Sequence, residues 1–292
     1  MPDPSPSPTF VLGLGAQKAG TTWLHAYLAA SPAHAPGLRK EYHVLDAIDV
    51  AEESWKVRRI APRLERAAER VALGERGNAF ELQRTAMIWE DSLYPAYFAG
   101  LAGGRAPGGG PRFSMDVTPS YALLGAPRLR WVRESFAERG VRAVAVFLMR
   151  DPVDRLHSQV RFFQRRRPEQ HPGTTEEEVL RLYGDPAFAS RSRYERTLAA
   201  IAGAFAPDAV HVGFYETLFT DASVDAVCRL VGIDRHPADF DHRPHDAGER
   251  HGLSDETERL VAEHLRETYA AVAHACPDVD LRALWPSSRW VL

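Results

Sequence analysis

The chain reads TFVLGLGAQKAGTTWLHAYLAA from Thr9 to Ala30. Its first seven residues form an apolar run that ends in glycine, which is typical of a buried strand. Residues 16–20 are small and favour a loop. Residues 21–30 place apolar side chains on one helical face until Ser31-Pro32 ends the pattern. This stretch therefore predicts a strand, a glycine-rich loop and a helix in direct succession.

The same order recurs twice further along the chain. A predicted strand over residues 143–149 precedes a helix at 153–167, and a strand over 210–214 precedes a helix at 224–231. Strands that alternate with helices indicate a parallel sheet. The predicted fold class is α/β, with a parallel β-sheet of the P-loop type and helices on both faces. We expect a flexible leader at residues 1–8 and a single domain at 9–292. Further helices are predicted at 52–73, 87–100, 127–139, 190–205 and 254–275.

The composition of the 292 residues excludes several classes of protein. Hydrophobic residues make up 45% and charged residues 26%, so the chain is neither disordered nor fibrous. It has no apolar run of about 18 residues and no signal-peptide pattern, which predicts a cytoplasmic protein without a membrane partner. A net charge of −3 gives no indication of a nucleic-acid partner, and two cysteines exclude a disulfide framework or thiolate metal cluster.

The glycine-rich loop has the spacing of a nucleotide-binding P-loop. Gly15 and Gly20 are separated by four residues, and Thr22 takes the Ser/Thr place of that motif. Position 21, however, is threonine where an ATP or GTP site has lysine. The lysine lies inside the loop, at Lys18, and it is one of only three lysines among 36 basic residues. This argues against an ordinary kinase or NTPase. A turn of small residues that only joins the strand to the helix, without binding a ligand, is the alternative interpretation.

This loop resembles the 5′-phosphosulfate loop of sulfotransferases that use 3′-phosphoadenosine-5′-phosphosulfate (PAPS). The carbohydrate and heparan-sulfate type carries a similar Gln-Lys-x-Gly-Thr-Thr. The resemblance implies that Lys18 stabilises the leaving phosphate, since a preplaced cation stabilises negative charge that develops on a leaving oxygen. It also implies that the donor is bound by Gln17, Lys18, Ala19, Gly20, Thr21 and Thr22.

A second motif lies at the end of the strand over 143–149, where the chain reads FLMRDPVDRLHS from residue 147 to residue 158. Asp151-Pro152 alone is typical of a helix start. The whole stretch resembles the 3′-phosphate motif of the same family. The resemblance implies that Arg150 and Ser158 bind the 3′-phosphate of PAPS, and the guanidinium fork suits phosphate oxygens.

The segment RKEYHVLD, residues 39–46, follows the first predicted helix. It resembles the Lys-Glu-x-His-Phe-Phe-Asp segment of the heparan-sulfate 3-O-sulfotransferase branch. The resemblance implies that Glu41 is the general base, with His43 as the alternative base, and that Lys40 and Asp46 complete the acceptor site. A carboxylate within hydrogen-bond reach can take the proton of an attacking hydroxyl. From the residues alone, a solvated charged loop is the alternative.

Weaker matches extend the resemblance towards the C-terminus. DVTPSY (116–121) and SRSRY (190–194) imply that Tyr121 and Tyr194 lie near the acceptor. The segment AGERHG (247–252) is a loose counterpart of a family loop at the 3′-phosphate, which implies a role for Arg250. Asp116-Val117 stands where the 3-O branch usually has Glu-Lys, and this difference disfavours glycosaminoglycan recognition.

The sequence therefore predicts a PAPS-dependent O-sulfotransferase that releases 3′,5′-bisphosphoadenosine (PAP). The expected partner is a small-molecule or sugar acceptor, and no metal is expected. A P-loop kinase of a small alcohol and a non-catalytic nucleotide-binding protein of the same fold are the rival interpretations. The basic run at 161–167 is more typical of a solvated helix end than of nucleic-acid binding. The pair His242 and His245 lacks the helical spacing of a two-histidine metal site.

Overall fold

The computed structural model describes residues 7–75, 79–106, 109–110, 112–241 and 253–292. Arg250, His242, His245 and residues 1–6 of the predicted leader lie outside these ranges. In the described part of the chain, four parallel strands form one sheet in the order β2-β1-β3-β4. They are β1 (Thr9–Gly15), β2 (Phe113–Val117), β3 (Arg142–Met149) and β4 (Val210–Phe214).

Helices flank this sheet, which confirms the predicted α/β fold class. None of the described helices is long and apolar enough to cross a membrane. Their bounds are α1 (Thr21–Ala29), α2 (Leu45–Asp49), α3 (Trp55–Arg58), α4 (Ile60–Ala72), α5 (Ala79–Trp89), α6 (Leu93–Ala102), α7 (Ala126–Ala137), α8 (Pro152–Arg166), α9 (Thr175–Leu182), α10 (Pro186–Ala189), α11 (Tyr194–Ala202), α12 (Asp221–Val231), α13 (Asp255–His264), α14 (Arg266–Ala275) and α15 (Leu281–Leu284).

The predicted strands agree with β1, β3 and β4, but β2 was not predicted. Its sequence, FSMDV, contains two polar residues, so it lacks the continuous apolar run of a buried parallel strand. Both polar side chains are nevertheless fully buried and hydrogen-bonded. Ser114 Oγ donates to the carbonyl of Phe98 at 2.8 Å, and Asp116 accepts from the Tyr94 hydroxyl at 2.9 Å. Tertiary partners therefore stabilise a strand that the local pattern conceals.

Several predicted helices are broken. The helix predicted over 87–100 is the end of α5 and most of α6, because Pro95 is tolerated only in the first turn of a helix that begins at Leu93. The helix predicted over 52–73 is a short 3₁₀ turn followed by α3 and α4. The helix predicted over 254–275 is divided at Leu265 into α13 and α14.

The sheet order brings the two predicted motifs together. β1 lies between β2 and β3 and pairs with both in parallel, so the carboxyl ends of the three strands share one edge of the sheet. Ligands of open α/β sheets bind in the crevice outside this edge. The loop after β1 and the junction between β3 and α8 therefore face a common space.

Candidate active site

The loop between β1 and α1 depends on its two glycines. Gly15 and Gly20 have φ angles of 113° and 83°, which L side chains rarely adopt. A Cβ on Gly15 would lie 2.7 Å from the carbonyl oxygen of Pro119, and one on Gly20 would collide with the Leu218 side chain. Glycine at both positions lets the loop pass close to its neighbours and turn into α1, whose N-terminus then faces the space above the sheet.

A cavity of about 330 Å³ lies at this edge of the sheet. The structure brings ten of the residues assigned from the sequence to its wall, and they come from three separate segments of the chain. The wall also includes seven residues that were not assigned. The assigned ones are Gln17, Lys18, Gly20, Thr21, Thr22, Lys40, Glu41, His43, Arg150 and Ser158; the others are Trp23, Pro119, Ser120, Phe162, Arg166, Tyr215 and Phe219.

Basic side chains line part of this cavity. Within the described ranges, Lys18 and Arg150 have no carboxylate partner, and the Arg150 guanidinium donates to the carbonyl of Lys18 at 3.3 Å. Burial, together with the neighbouring Arg165, Arg150 and Arg166, lowers the pKa of Lys18 to about 8. Like charges held together at this density indicate a site built for a strongly anionic ligand.

Aromatic rings hold these cations in place. The Lys18 ammonium lies 4.8 Å from the centroid of the Phe162 ring, and the Arg166 guanidinium lies 4.9 Å from the same centroid. The Arg150 guanidinium lies 4.4 Å from the centroid of Tyr215. Such cation–π contacts orient a charge without neutralising it, so the cations remain available to a ligand.

Tyr194 does not line the cavity. Its side chain is fully buried, and its hydroxyl donates to the carbonyl of Arg150 at 2.8 Å. The expected acceptor contact is therefore replaced by support for the backbone at the end of β3. Asp151 supports the same junction, because its side chain caps α8 at Val153 N and accepts from the Tyr269 hydroxyl at 2.7 Å.

The segment of residues 39–46 is held against the sheet by its backbone. The Tyr42 amide donates to Thr118 Oγ1 at 3.0 Å, and the buried Arg84 donates to the carbonyl oxygens of Tyr42 and His43. His43 has a φ of 54°, an uncommon conformation for a residue other than glycine. These contacts turn the side chains of Glu41 and His43 towards the cavity.

Glu41 and His43 form a coupled pair on the wall of the same cavity. Glu41 Oε2 lies 3.3 Å from His43 Nε2, and Oε1 lies 2.7 Å from the ammonium of Lys40. Burial raises the pKa of Glu41, but the hydrogen bond from His43 and the charge of Lys40 outweigh it and lower the pKa to about 2. Burial lowers the pKa of His43, but contacts with Asp46 and Glu41 outweigh it, so the net shift is upward. A proton added to the pair therefore resides mainly on His43.

Three other assigned residues do not reach the cavity wall. Asp46 is fully buried behind His43, with its Oδ2 2.8 Å from His43 Nδ1. Tyr121 is fully buried and donates to Asp116 Oδ2 at 2.8 Å. The side chain of Ala19 is buried, and its amide donates to the carbonyl of Ala16 within the loop. The expected acceptor contacts of Asp46 and Tyr121 are corrected accordingly, because Asp46 supports His43 from behind and Tyr121 bonds Asp116 and the amide of Val44 inside the fold.

Some unassigned wall residues follow a pattern that sequence analysis could have used. Phe162 and Arg166 lie four and eight residues after the motif residue Ser158 on α8, so all three share one helical face. Lys56 lies behind His43 and carried no sequence signal beyond the scarcity of lysine.

The fold and the cavity define an α/β protein with an anion site at the carboxyl ends of parallel strands. A model described as "Sulfotransferase family" matches residues 8–237, so the chain belongs to the sulfotransferase family. The chain is similar in fold to a solved sulfotransferase from Alicyclobacillus acidocaldarius, with 18% identity, a TM-score of 0.57 and coverage of 96% of this chain and 99% of the other.

Two further solved structures are more distantly similar. One is a sulfotransferase domain from the curacin biosynthetic pathway, with 16% identity, a TM-score of 0.47 and coverage of 89% and 97% of the two chains. The other is a sulfotransferase domain from the olefin synthase of Synechococcus PCC 7002, with 16% identity, a TM-score of 0.45 and coverage of 90% and 96%. No curated protein matches the chain.

Proposed function

We propose that the protein transfers a sulfuryl group from PAPS to a hydroxyl group of a small-molecule or carbohydrate acceptor and releases PAP. Membership of the sulfotransferase family supports sulfuryl transfer in general. The observation that carries the finer proposal is the arrangement of one cavity. Lys18 and Arg150, which have no carboxylate partner in the described part of the chain, line the same cavity as the Glu41–His43 pair.

The wall of the cavity suits this donor in three ways. The loop after β1 and the N-terminus of α1 offer backbone N–H groups to a phosphosulfate. Arg150 and Ser158 offer a second set of donors to a 3′-phosphate. Trp23, Tyr215 and Phe219 supply aromatic faces of the kind on which a purine stacks.

The chemistry follows from the charges of Lys18 and of the Glu41–His43 pair on the cavity wall. When bound, PAPS supplies a transferable sulfuryl group on a good phosphate leaving group. The acceptor oxygen forms a bond to sulfur while the bond from sulfur to the phosphate oxygen breaks, and the electron pair stays on the phosphate. Lys18 stabilises that negative charge, and the Glu41–His43 pair takes the hydroxyl proton. We expect no metal requirement, since the donor has no pair of terminal phosphates for Mg²⁺ to bridge.

A thermal-shift panel with PAP, PAPS, ATP and ADP, each with and without Mg²⁺, tests the donor class. We expect PAP and PAPS to raise the melting temperature without Mg²⁺ and ATP and ADP to raise it much less. Incubation with ³⁵S-labelled PAPS and a panel of alcohols then tests transfer. Stabilisation by ATP with Mg²⁺ but not by PAP would favour the kinase interpretation and overturn the proposal.

The 3′-phosphate assignment predicts a loss of affinity in Arg150→Ala. Loss of a charged hydrogen-bond partner costs about 1.5–3 kcal/mol, or roughly 10- to 100-fold in the Kd of PAP. Calorimetry should show this loss for PAP but a much smaller one for 5′-AMP. Arg167→Ala is the matched control, since Arg167 is exposed just after the last residue of α8 and does not line the cavity. Equal affinity of the unmodified protein for PAP and AMP would contradict the assignment.

A further inference from the structure

Lys56 is a buried lysine that the proposed chemistry does not use. It lies on α3 with 6% of its surface exposed, and it does not line the cavity. Its ammonium donates to Asp46 Oδ2 at 2.5 Å and lies 2.9 Å from Glu53 Oε2. It also lies 2.8 Å from His43 Nδ1. A charge placed this close to the ring of His43 must influence which protons the ring carries.

Asp46 Oδ2, His43 Nδ1 and Lys56 Nζ form a triangle whose three sides are all hydrogen-bond distances. The carboxylate oxygen only accepts and the ammonium only donates, whereas the ring nitrogen does either. If Nδ1 carries a proton, the ring donates a hydrogen bond to Asp46, but its N–H then lies against the N–H groups of Lys56, and two donors repel each other. If Nδ1 is bare, Lys56 donates to both partners. The local contacts therefore nearly balance the two protonation states.

The other side of the ring decides between the two neutral forms. His43 Nε2 faces Glu41 Oε2 at 3.3 Å, and Glu41 is ionised. Without a proton, Nε2 would be an acceptor that faces the Glu41 carboxylate, which is also an acceptor, whereas Nε2–H donates a hydrogen bond to the carboxylate. The favoured neutral form thus has Nε2–H bonded to Glu41 and a bare Nδ1 that accepts from Lys56. In this form the ring is neutral, and the carboxylate of Glu41, which lines the cavity, can take one more proton.

We propose that Lys56 is a positioning residue that keeps the Glu41–His43 pair in its proton-accepting form. This inference rests on the proposed function. Without the ammonium, Asp46 and Glu41 would bind a doubly protonated ring from both sides, and the pair would already hold the proton that it must take from the acceptor. Lys56 opposes that state by placing a positive charge against Nδ1.

The charges around His43 come from several elements. Glu41 and Asp46 favour the protonated ring, and Lys56 disfavours it. Lys40 acts through Glu41, Arg84 donates to the carbonyl of His43, and Glu53 partly compensates Lys56 while also pairing with Arg191. His25 on α1 lies close enough to Glu41 and Lys40 for their charges to influence its pKa. Among these groups, Lys56 is the cation that lies within hydrogen-bond distance of the ring itself.

The test is the pH dependence of kcat with saturating PAPS in Lys56→Met. We expect the acid limb to move to higher pH by about 1–3 units, the range for a nearby charge. Activity near pH 7 should therefore fall about 10-fold or more relative to the unmodified protein, and this difference should become smaller as the pH rises. Glu53→Gln is the matched control, because it removes a charge from the same cluster but leaves the ammonium less compensated. Its acid limb should move to lower pH.

The ring can also be observed directly. Nitrogen-15 NMR of His43 in the PAP-bound protein should show a higher titration midpoint in Lys56→Met than in the unmodified protein. This readout needs no acceptor, so it distinguishes failure of this inference from failure of the proposed sulfuryl transfer. If Lys56→Met does not fold, Lys56→Met/Glu53→Gln removes one charge of each sign and should still raise the midpoint. An unchanged midpoint in whichever of the two variants folds would overturn the inference.

Discussion

Lys18→Met is expected to lower kcat by about 100- to 1000-fold, the loss found when one preorganised donor to a developing oxyanion is removed. The affinity for PAP should fall far less, because the charge that Lys18 stabilises is greatest in the transition state. In the unmodified protein the Lys18 ammonium lies 4.8 Å from the centroid of the Phe162 ring. Methionine keeps a long side chain that can pack on the same ring. Single-turnover rates with labelled PAPS and calorimetry with PAP give the two quantities separately.

Lys18→Arg separates a specific ammonium from a mere positive charge. Lys18 has a φ of 70° in a tight loop, and a planar guanidinium there would meet Arg150 and Phe162. We therefore expect poor rescue. The pKa of Lys18, lowered to about 8, adds a check. The ammonium is charged below that pH, so kcat/KM for PAPS should fall above about pH 8, and this limb should be absent in Lys18→Arg. Full activity of Lys18→Arg would contradict the leaving-group role.

The part of the cavity wall that we propose binds PAPS could be predicted from the sequence because its information is local. The loop after β1 and the junction after β3 each place their polar residues within about ten positions of a strand end. Parallel strands bring such ends to one edge of the sheet. The order of the strands in the sheet was therefore not needed to predict that these residues lie at the same edge. The predicted residues Gln17, Lys18, Arg150 and Ser158 all lie on the cavity wall for this reason.

The acceptor side could be predicted only in part, because burial there depends on distant partners. Asp46 and Glu41 lie five positions apart in one polar segment, yet Asp46 is fully buried and Glu41 has 38% of its side chain exposed. The difference arises from Lys56 and the turn at His43, which draw Asp46 away from the cavity. Tyr194 similarly bonds the backbone of Arg150, 44 residues away. No local pattern encodes such contacts.

Asp116 shows how the same problem concealed a strand. It replaces the glutamate usual in the branch that the sequence resembles, and it lies inside β2 with no exposed surface. Burial raises its pKa to about 6, although bonds from Thr118, Tyr121 and Tyr94 oppose this shift. The carboxyl group also accepts from the amide of Tyr42 at 3.3 Å, which ties the segment of Glu41 and His43 to the sheet. A residue with the sequence signature of a loop therefore supports the acceptor site from within the sheet.

Glu41→Gln is expected to lower kcat by about 10²–10⁴-fold, the usual contribution of a positioned proton acceptor. Glutamine keeps the shape of the side chain but cannot stabilise an imidazolium at His43. His43→Gln should cost a similar factor, because the ring orients the Glu41 carboxylate through Nε2. If the two residues act as one unit, the double variant should be no slower than the worse single variant. Single-turnover transfer to any accepted alcohol measures all three.

Two controls make the comparison decisive. PAP affinity should be unchanged in all three variants, since the proposed role of the pair is to take the proton of the acceptor and not to bind PAP. Glu52→Gln, which alters an exposed carboxylate nearby, should keep normal turnover. The upward shift in the pKa of His43 further predicts that kcat rises with pH through a limb above the ordinary histidine value, and that His43→Gln abolishes this limb. Near-normal turnover of Glu41→Gln together with a collapse in His43→Gln would assign the proton transfer to His43 alone, because the carboxylate would then contribute nothing to the step.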